Sequence, residues 1–446
     1  MRAQRRRDVF AFVALFSLWD GDGLRDLLSW WGFGFLSLAI LIGAVLILVR
    51  ERRHLKRLLR RTTTLPLLLF LGVSLLSTVW SAYPTSTLLG FFVQLSTTVI
   101  GVSLLLAQPI GRLVAIFALM IHVHLALSLV FEAVVPFLPG HELLPFFTDY
   151  SAGAPGAFYW SQGLLYKGQR IQGIVGNANL TCFLALLGMI IVGCLLAARR
   201  IDRRLGVAAL ALDVLLFGLT RSATVLVAAG TVVAATLLIL GYRHIRGHGR
   251  ILLTIGAVAI VGLTTLSSSA IFDPVLRLLG KGDDLTGRLE IWHIVGTLVV
   301  QRPLLGWGFV GWWVPWSPPF DDLVVRAGVT YLQAHNAFFD VELQLGVLGL
   351  AAFALLTGSV AFRALRLAAV RAPLTLLPLL LLAALLTQAL AESRLLIEGN
   401  WALLAMLCVA LPWGRHHRVP PEVGTSPTAR ALASIDGTPR GAPRTT

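Results

Sequence analysis

Apolar runs of roughly 20 residues recur from one end of this 446-residue chain to the other, each long enough to cross the hydrocarbon core of a bilayer. In hydrocarbon every backbone N–H and C=O must be satisfied by protein, which leaves helices or a closed barrel. A barrel would show short strands of alternating polarity, and the runs here are continuous. Charged residues make up 13% of the chain, where a soluble protein carries about a quarter. The expected class is therefore an all-α polytopic membrane protein. The start, "MRAQRRRDVFAFVALFSLWDGDG", has a basic head and a short apolar run but no small-x-small cleavage site. It reads as a retained first helix rather than a signal peptide. Cys182, Cys194 and Cys408 all fall inside apolar runs, which argues against disulfides and zinc sites. The stretch after Trp413, rich in Pro, Gly, Thr and Arg, reads as a disordered tail.

The net charge of +15 would suit nucleic acid if it were clustered on a soluble face. Instead the basic residues sit in short segments between apolar runs, as at "RERRHLKRLLRR", "ARRIDRR", "YRHIRGHGR" and "RALRLAAVR", where they set topology. No nucleic-acid partner is expected. With the N-terminus in the cytoplasm, spans fall at 9–20, 27–49, 64–82, 87–107, 113–135, 174–197, 205–220, 222–241, 251–270, 336–361, 373–390 and 400–412. This arrangement of about twelve helices puts both termini and most of the 37 Lys and Arg on the cytoplasmic side. It makes 1–412 one transmembrane domain and 413–446 a cytoplasmic tail. Two outer loops are long, 136–173 and 271–334, and loops beyond about 15 residues tend to be functional or disordered. The second carries "TGRLEIWHIVGTLVVQRPLLGWGFVGWWVPW". Its helical pattern from Leu289 to Val299 puts Arg288, Trp292, Val295 and Val299 on one face, with Thr286 able to cap the start. With Trp307, Trp312, Trp313 and Trp316 following, it fits a short interfacial helix on the outer leaflet.

Three outer arginines stand out. Arg221 is squeezed into the turn "GLTRSATVL", Arg288 opens the interfacial helix, and Arg170 lies in "YKGQRIQGIVGNANL". A guanidinium at membrane depth is costly unless paired or hydrated, and its planar fork of donors suits a diphosphate. The same residues can also snorkel to lipid headgroups. His335 and Asn336 open the apolar helix "HNAFFDVELQLGVLGL". A neutral imidazole there can take a proton from a hydroxyl, and Asn336 can cap the helix. Asn177 and Asn179 in "GNANL" can cap a helix or bond a sugar hydroxyl. His122 and His124, two apart on one helix, do not share a face and make no metal site. Buried Asp213 reads equally as a proton-handling or a packing residue.

Together these stretches resemble the O-antigen ligase and polymerase superfamily. "LLSTVWSAYPTSTL", "VGNANLTCFLAL" and "LTRSATVL" carry part of the likeness. The rest is the ordered set Gly-Arg, a Trp four residues on (Trp292), Pro303-x-x-Gly306-x-Gly308, then His335-Asn336 and a Gly-rich helix. It runs over about residues 65–412. The arginine turn reads Thr-Arg-Ser rather than the commoner Ser-Arg-Gly. The resemblance implies a C-type-like glycosyltransferase fold in the cytoplasmic (inner) membrane with its site on the outer face. It implies a polyprenyl-diphosphate-linked glycan donor, a glycan, lipid or protein hydroxyl as acceptor, and no metal, nucleotide sugar or other cofactor. His335 would then be the general base and Arg221 and Arg288 the diphosphate ligands. Arg170, Trp292, Asn177, Asn179 and Asn336 would support them. Transfer would invert the anomeric carbon. Three rival expectations follow: a polymerase of the same superfamily, a polyprenyl-lipid flippase, and a peptidoglycan polymerase that would rely on Asp321, Asp322 or Asp340.

Overall fold

A computed structural model describes residues 2–148, 155–245, 284–326 and 328–411. Among the described residues the chain pairs its backbone almost wholly within helices, as an apolar surrounding demands. In order these are α1 (Arg2–Trp19), α2 (Gly21–Arg50), α3 (Arg52–Leu59), α4 (Leu65–Leu76), α5 (Pro84–Ala107), α6 (Ile110–Val134), α7 (Ala178–Ala197), α8 (Arg203–Thr220), α9 (Ala223–His244), α10 (Asp284–Gln301), α11 (Ala337–Ala368), α12 (Leu377–Ala389) and α13 (Glu398–Ala410). A two-residue hairpin, Val325–Arg326 with Val329–Thr330, interrupts the loop between α10 and α11. Among the described residues seven helices, some with an adjoining turn, are long and apolar enough to cross a membrane: α2, α4, α5, α6, α7, α9 and α11. Helices α12 and α13 are apolar but shorter. The expected spans 9–20 and 205–220 coincide with α1 and α8, and the expected span 251–270 lies outside the described residues.

The helices pack as neighbours mostly through apolar faces. Helix α7 lies between α6 and α8, α13 lies on α5, α12 on α9, and α11 on α4 and α12. The main core includes Leu15, Phe70, Phe183, Phe353 and Trp401, and Trp401 donates to Thr98 Oγ1 at 2.8 Å. The six-residue outer loop expected between the first two spans does not form. A single residue, Asp20, separates α2 from α1, and the α2 backbone breaks instead at Ser29 (φ 64°).

Two basic residues expected to be loop charges are buried. Arg363 is 2% exposed and donates to the carbonyls of Cys408 and Leu411 at 2.6 and 3.0 Å, and Arg243 donates to Ala368 O at 2.9 Å. The last carbonyls of a helix have no partner of their own and carry partial negative charge, so a guanidinium satisfies both needs.

Helix α11 explains the glycine pattern of the loop before it. At Gly346 its backbone turns left-handed (φ 62°), freeing amides and carbonyls in mid-helix. The segment 303–308 fills the gap. Trp307 N and Gly308 N donate to Leu343 O and Gln344 O at 3.0 and 2.8 Å, while Val347 N and Leu348 N donate to Pro303 O and Leu304 O at 2.9 and 3.2 Å. A Cβ on Gly346 would sit 2.4 Å from the carbonyl carbon of Leu304, and one on Gly306 2.4 Å from that of Gln344. Gly346→Ala is therefore expected to cost about 2–4 kcal/mol, from left-handed strain plus overpacking against backbone. Thermal unfolding of the detergent-solubilised protein measures it; an unchanged midpoint would show that 303–308 can step aside.

Candidate functional site

His335 lies just before α11, with Asn336 as the helix cap: the Asn336 side chain accepts from Phe338 N and Phe339 N at 3.0 and 3.3 Å. The His335 backbone is left-handed (φ 51°), a conformation that costs a non-glycine residue energy and persists only when neighbours impose it. They do so from both sides. Ala334 N donates to Asp340 Oδ2 at 2.9 Å, Ala334 O accepts from Trp292 Nε1 at 2.9 Å, and Asn336 N donates to Ser393 Oγ at 3.2 Å. Asp340 itself is fully buried, accepting also from Trp313 Nε1 at 2.6 Å and from the Ser393 hydroxyl. With every contact inward, Asp340 holds the loop, while Asp321 and Asp322 are exposed.

The imidazole meets a residue that sequence reasoning passed over. Glu392, in the turn between α12 and α13, lies 3.0 Å through Oε2 from His335 Nδ1. Four donors converge on this one carboxylate. His335 and Gln333 Nε2 (3.2 Å) take Oε2, and Asn179 Nδ2 (3.1 Å) and Arg288 Nη2 (3.5 Å) take Oε1. Burial alone would raise its pKa. The charges of His335, Arg288 and Arg394, with the His335 hydrogen bond, outweigh that and hold the carboxyl down to about 2. An ionised carboxylate only accepts, so Nδ1 carries a proton, and in the neutral imidazole Nε2 is then the acceptor nitrogen. Nε2 makes no hydrogen bond among the described residues.

Because the Glu392 pKa is depressed from 4.5 to about 2 in the folded chain, its contribution to stability is complete above about pH 4.5 and is lost as pH falls toward 2. Between thermal midpoints at pH 5 and pH 3 the Glu392 contribution should therefore fall. Glu392→Gln should reduce the drop in midpoint, and an identical drop in the variant would assign it to other carboxylates.

The expected residues divide into those the fold joins and those it does not. Arg288, Asn179, Arg170 and His335 form one connected network through Glu392. Arg170 donates to Asn179 Oδ1 at 2.6 Å and to Thr220 O at 3.0 Å. Ser222 also bonds Asn179 Oδ1, at 2.9 Å. Asn177 caps α7, accepting from Asn179 N at 2.9 Å and Leu180 N at 3.4 Å. Arg221 sits in the left-handed turn that ends α8 (φ 45°), next to Ser222. Its exposed side chain reaches outside the network to Gly168 O at 2.7 Å.

The segment between α9 and α11 differs from expectation in three respects. Helix α10 starts by Asp284, so Thr286 lies inside it rather than capping it. Its inward face, with Val295 fully buried and Trp292 stacked on Phe339 at 5.7 Å, packs on protein around Trp313, Phe320 and Leu343. Trp313 is wholly buried, while Trp316 stays 68% exposed. A buried indole needs an acceptor for its N–H, and Asp340 supplies one that composition could not reveal. Deeper in the bundle His122 and His124 face separate partners, Asp213 Oδ2 at 3.3 Å and Asp20 Oδ1 at 3.1 Å, which places Asp213 in a buried pair.

Residues 206–354 match the family model described as O-antigen ligase. Over that stretch, about a third of the chain, the sequence is similar to the O-antigen ligase family. No curated protein matches the chain. The apolar helices make the chain a polytopic membrane protein. Arg221, Arg288, Trp292, His335 and Asn336 lie within the matched residues; Asn179 and Glu392 lie on either side of them.

Proposed function

We propose that the chain is a membrane glycosyltransferase that moves a glycan from a polyprenyl-diphosphate carrier to an acceptor hydroxyl. One observation carries the reading: an imidazole with Nδ1 fixed on a buried carboxylate, Nε2 unbonded among the described residues, and Arg288 on the same carboxylate. Nε2 of His335 takes the acceptor proton, and the freed oxygen attacks the anomeric carbon opposite the diphosphate. The carbon–oxygen bond to the diphosphate breaks with inversion, and its electron pair leaves with the phosphate oxygen. Arg288, and Arg221 from the neighbouring turn, neutralise that developing charge. Glu392 stabilises the imidazolium, and Asn179, braced by Arg170 and Ser222, holds Glu392 in place. Asn336, Asn177 and Trp292 fix the backbone from which these groups project.

The topology that goes with this reading has about twelve spans in a C-type-like fold, both termini cytoplasmic and His335 at the outer face of the cytoplasmic membrane. Positively charged segments at the other end of the bundle support that orientation. A polyprenyl donor would then arrive laterally, its tail in lipid and its diphosphate at the depth of Arg288. The reaction needs no metal or other cofactor on this reading.

The test is reconstitution with a polyprenyl-diphosphate-linked glycan and an acceptor saccharide. Polyprenyl diphosphate should appear in step with glycan on the acceptor, with inverted anomeric configuration and no loss of rate on chelation of divalent ions. A single addition marks a ligase and a ladder of repeats a polymerase. Donor consumption no faster than without protein would remove the proposal, and movement of intact donor between leaflets would favour the flippase.

A further inference from the structure

The end of the bundle opposite His335 holds a groove that the transfer reaction does not use. It has a volume of about 610 Å³ and is lined by Arg2, Arg5, Arg6, Val9, Phe10 and Val13. These positions follow the spacing of one helical face, so α1 presents a stripe that is cationic at one end and apolar at the other. Val9 and Val13 are 56% and 40% exposed, and Phe10 seats against Gly43 of α2 so closely that a Cβ there would lie 2.6 Å from its ring.

The charge in this groove is not spent on protein. Arg7 turns away to Ala107 O at 3.5 Å. Asp8, on the same helix, is taken by Arg112, by Gln4 at 2.9 Å and by Gln108 at 3.0 Å. Arg2, Arg5 and Arg6 have no partner among the described residues. Helix α3 adds to the field at the same end, turning Leu55 and Leu58 to the core and leaving Arg52, Arg53 and Lys56 exposed.

We infer that this groove binds an anionic phospholipid, its phosphate among Arg2, Arg5 and Arg6 and its acyl chains along Val9, Phe10 and Val13. A bare phosphate would use the arginines but not the apolar floor, and a zwitterionic lipid would use the floor but bring its own cation. Only an anionic diacyl lipid matches both ends. On the topology proposed above, it belongs to the cytoplasmic leaflet, where anionic headgroups attract basic residues. The site is independent of the chemistry at His335.

The experiment is native mass spectrometry of the full chain released from micelles containing phosphatidylglycerol and phosphatidylcholine in equal amounts. The wild type should retain phosphatidylglycerol over phosphatidylcholine by about tenfold or more, as three guanidinium–phosphate attractions at a lipid surface imply. Combined Arg2→Gln, Arg5→Gln and Arg6→Gln should abolish the preference. Since removing basic residues can disturb insertion, Val13→Trp gives the second reading. It fills the floor, keeps every charge, and should lower retained phosphatidylglycerol to the level of the triple variant. Retention in Val13→Trp equal to wild type, or no preference in the wild type, would overturn the proposal. So would displacement of phosphatidylglycerol by millimolar inorganic phosphate, which would leave a site for the free anion.

Discussion

Replacing His335 with alanine is expected to lower the turnover of lipid-linked donor by about 10³-fold, within the range usual for loss of a positioned base. The fold should tolerate the change. The imidazole is 17% exposed, and the hydrogen bonds that impose its backbone conformation come from Ala334 and Asn336. Glu392 also keeps Gln333 and Asn179 as donors. The loss should therefore fall on kcat, with the KM for donor and the thermal midpoint close to wild type. In cells making the natural glycan, lipid-linked material should accumulate, as long chains if the protein is a ligase and as single repeat units if it is a polymerase. A turnover within tenfold of wild type would remove His335 from the chemistry and leave it a loop residue ahead of a capped helix.

Glu392→Gln is the second large effect, and the amide's geometry dictates its form. The substitution preserves shape but exchanges one acceptor oxygen for a donor NH2 in a pocket where four donors already converge. If the NH2 faces His335, Nδ1 must accept and the proton moves to Nε2, the atom that should receive it from substrate. If it faces the other way, Arg288 and Asn179 meet a donor. Either orientation also removes the negative charge that stabilises an imidazolium. We expect kcat to fall about 100-fold, equivalent to about 2.7 kcal/mol of barrier. The KM for donor should stay level or fall, because Arg288 is released to the diphosphate. Glu392→Asp, which keeps the charge, should recover part of the rate. A kcat within threefold of wild type, with only the melting temperature lowered, would make Glu392 a structural anchor.

The helices were legible in the sequence because apolar length in a bilayer leaves the backbone little choice. The interruption of α11 was not, since a glycine in an apolar run reads as helix until a second segment, 303–308, is seen to pair with it. At the site, His335, Arg288 and Asn179 stood out as polar residues at the ends of apolar runs. Glu392 did not, although "LAESRLLIEGN" places Glu, Ser and Arg between two apolar stretches. A charged residue in a short turn ordinarily faces water, and only packing shows that this one is 6% exposed. Trp313 failed for the opposite reason. An indole suits a lipid interface and a core with an acceptor equally well, and the acceptor is 27 positions away.

His335 and the Glu392 carboxylate it meets are 57 positions apart, separated by the whole of the α11–α12 hairpin. The stretch 206–354 that carries the family likeness therefore is not a transplantable cassette. Moved into a relative, it would bring His335 and Arg288 but would borrow its carboxylate from the recipient's α12–α13 turn and its asparagine from the recipient's α7. Chimeras joined beyond Glu398, with Asn179 carried from the same parent, keep the network under one ancestry; junctions at 354 make the recipient's last two helices part of the His335–Glu392 network.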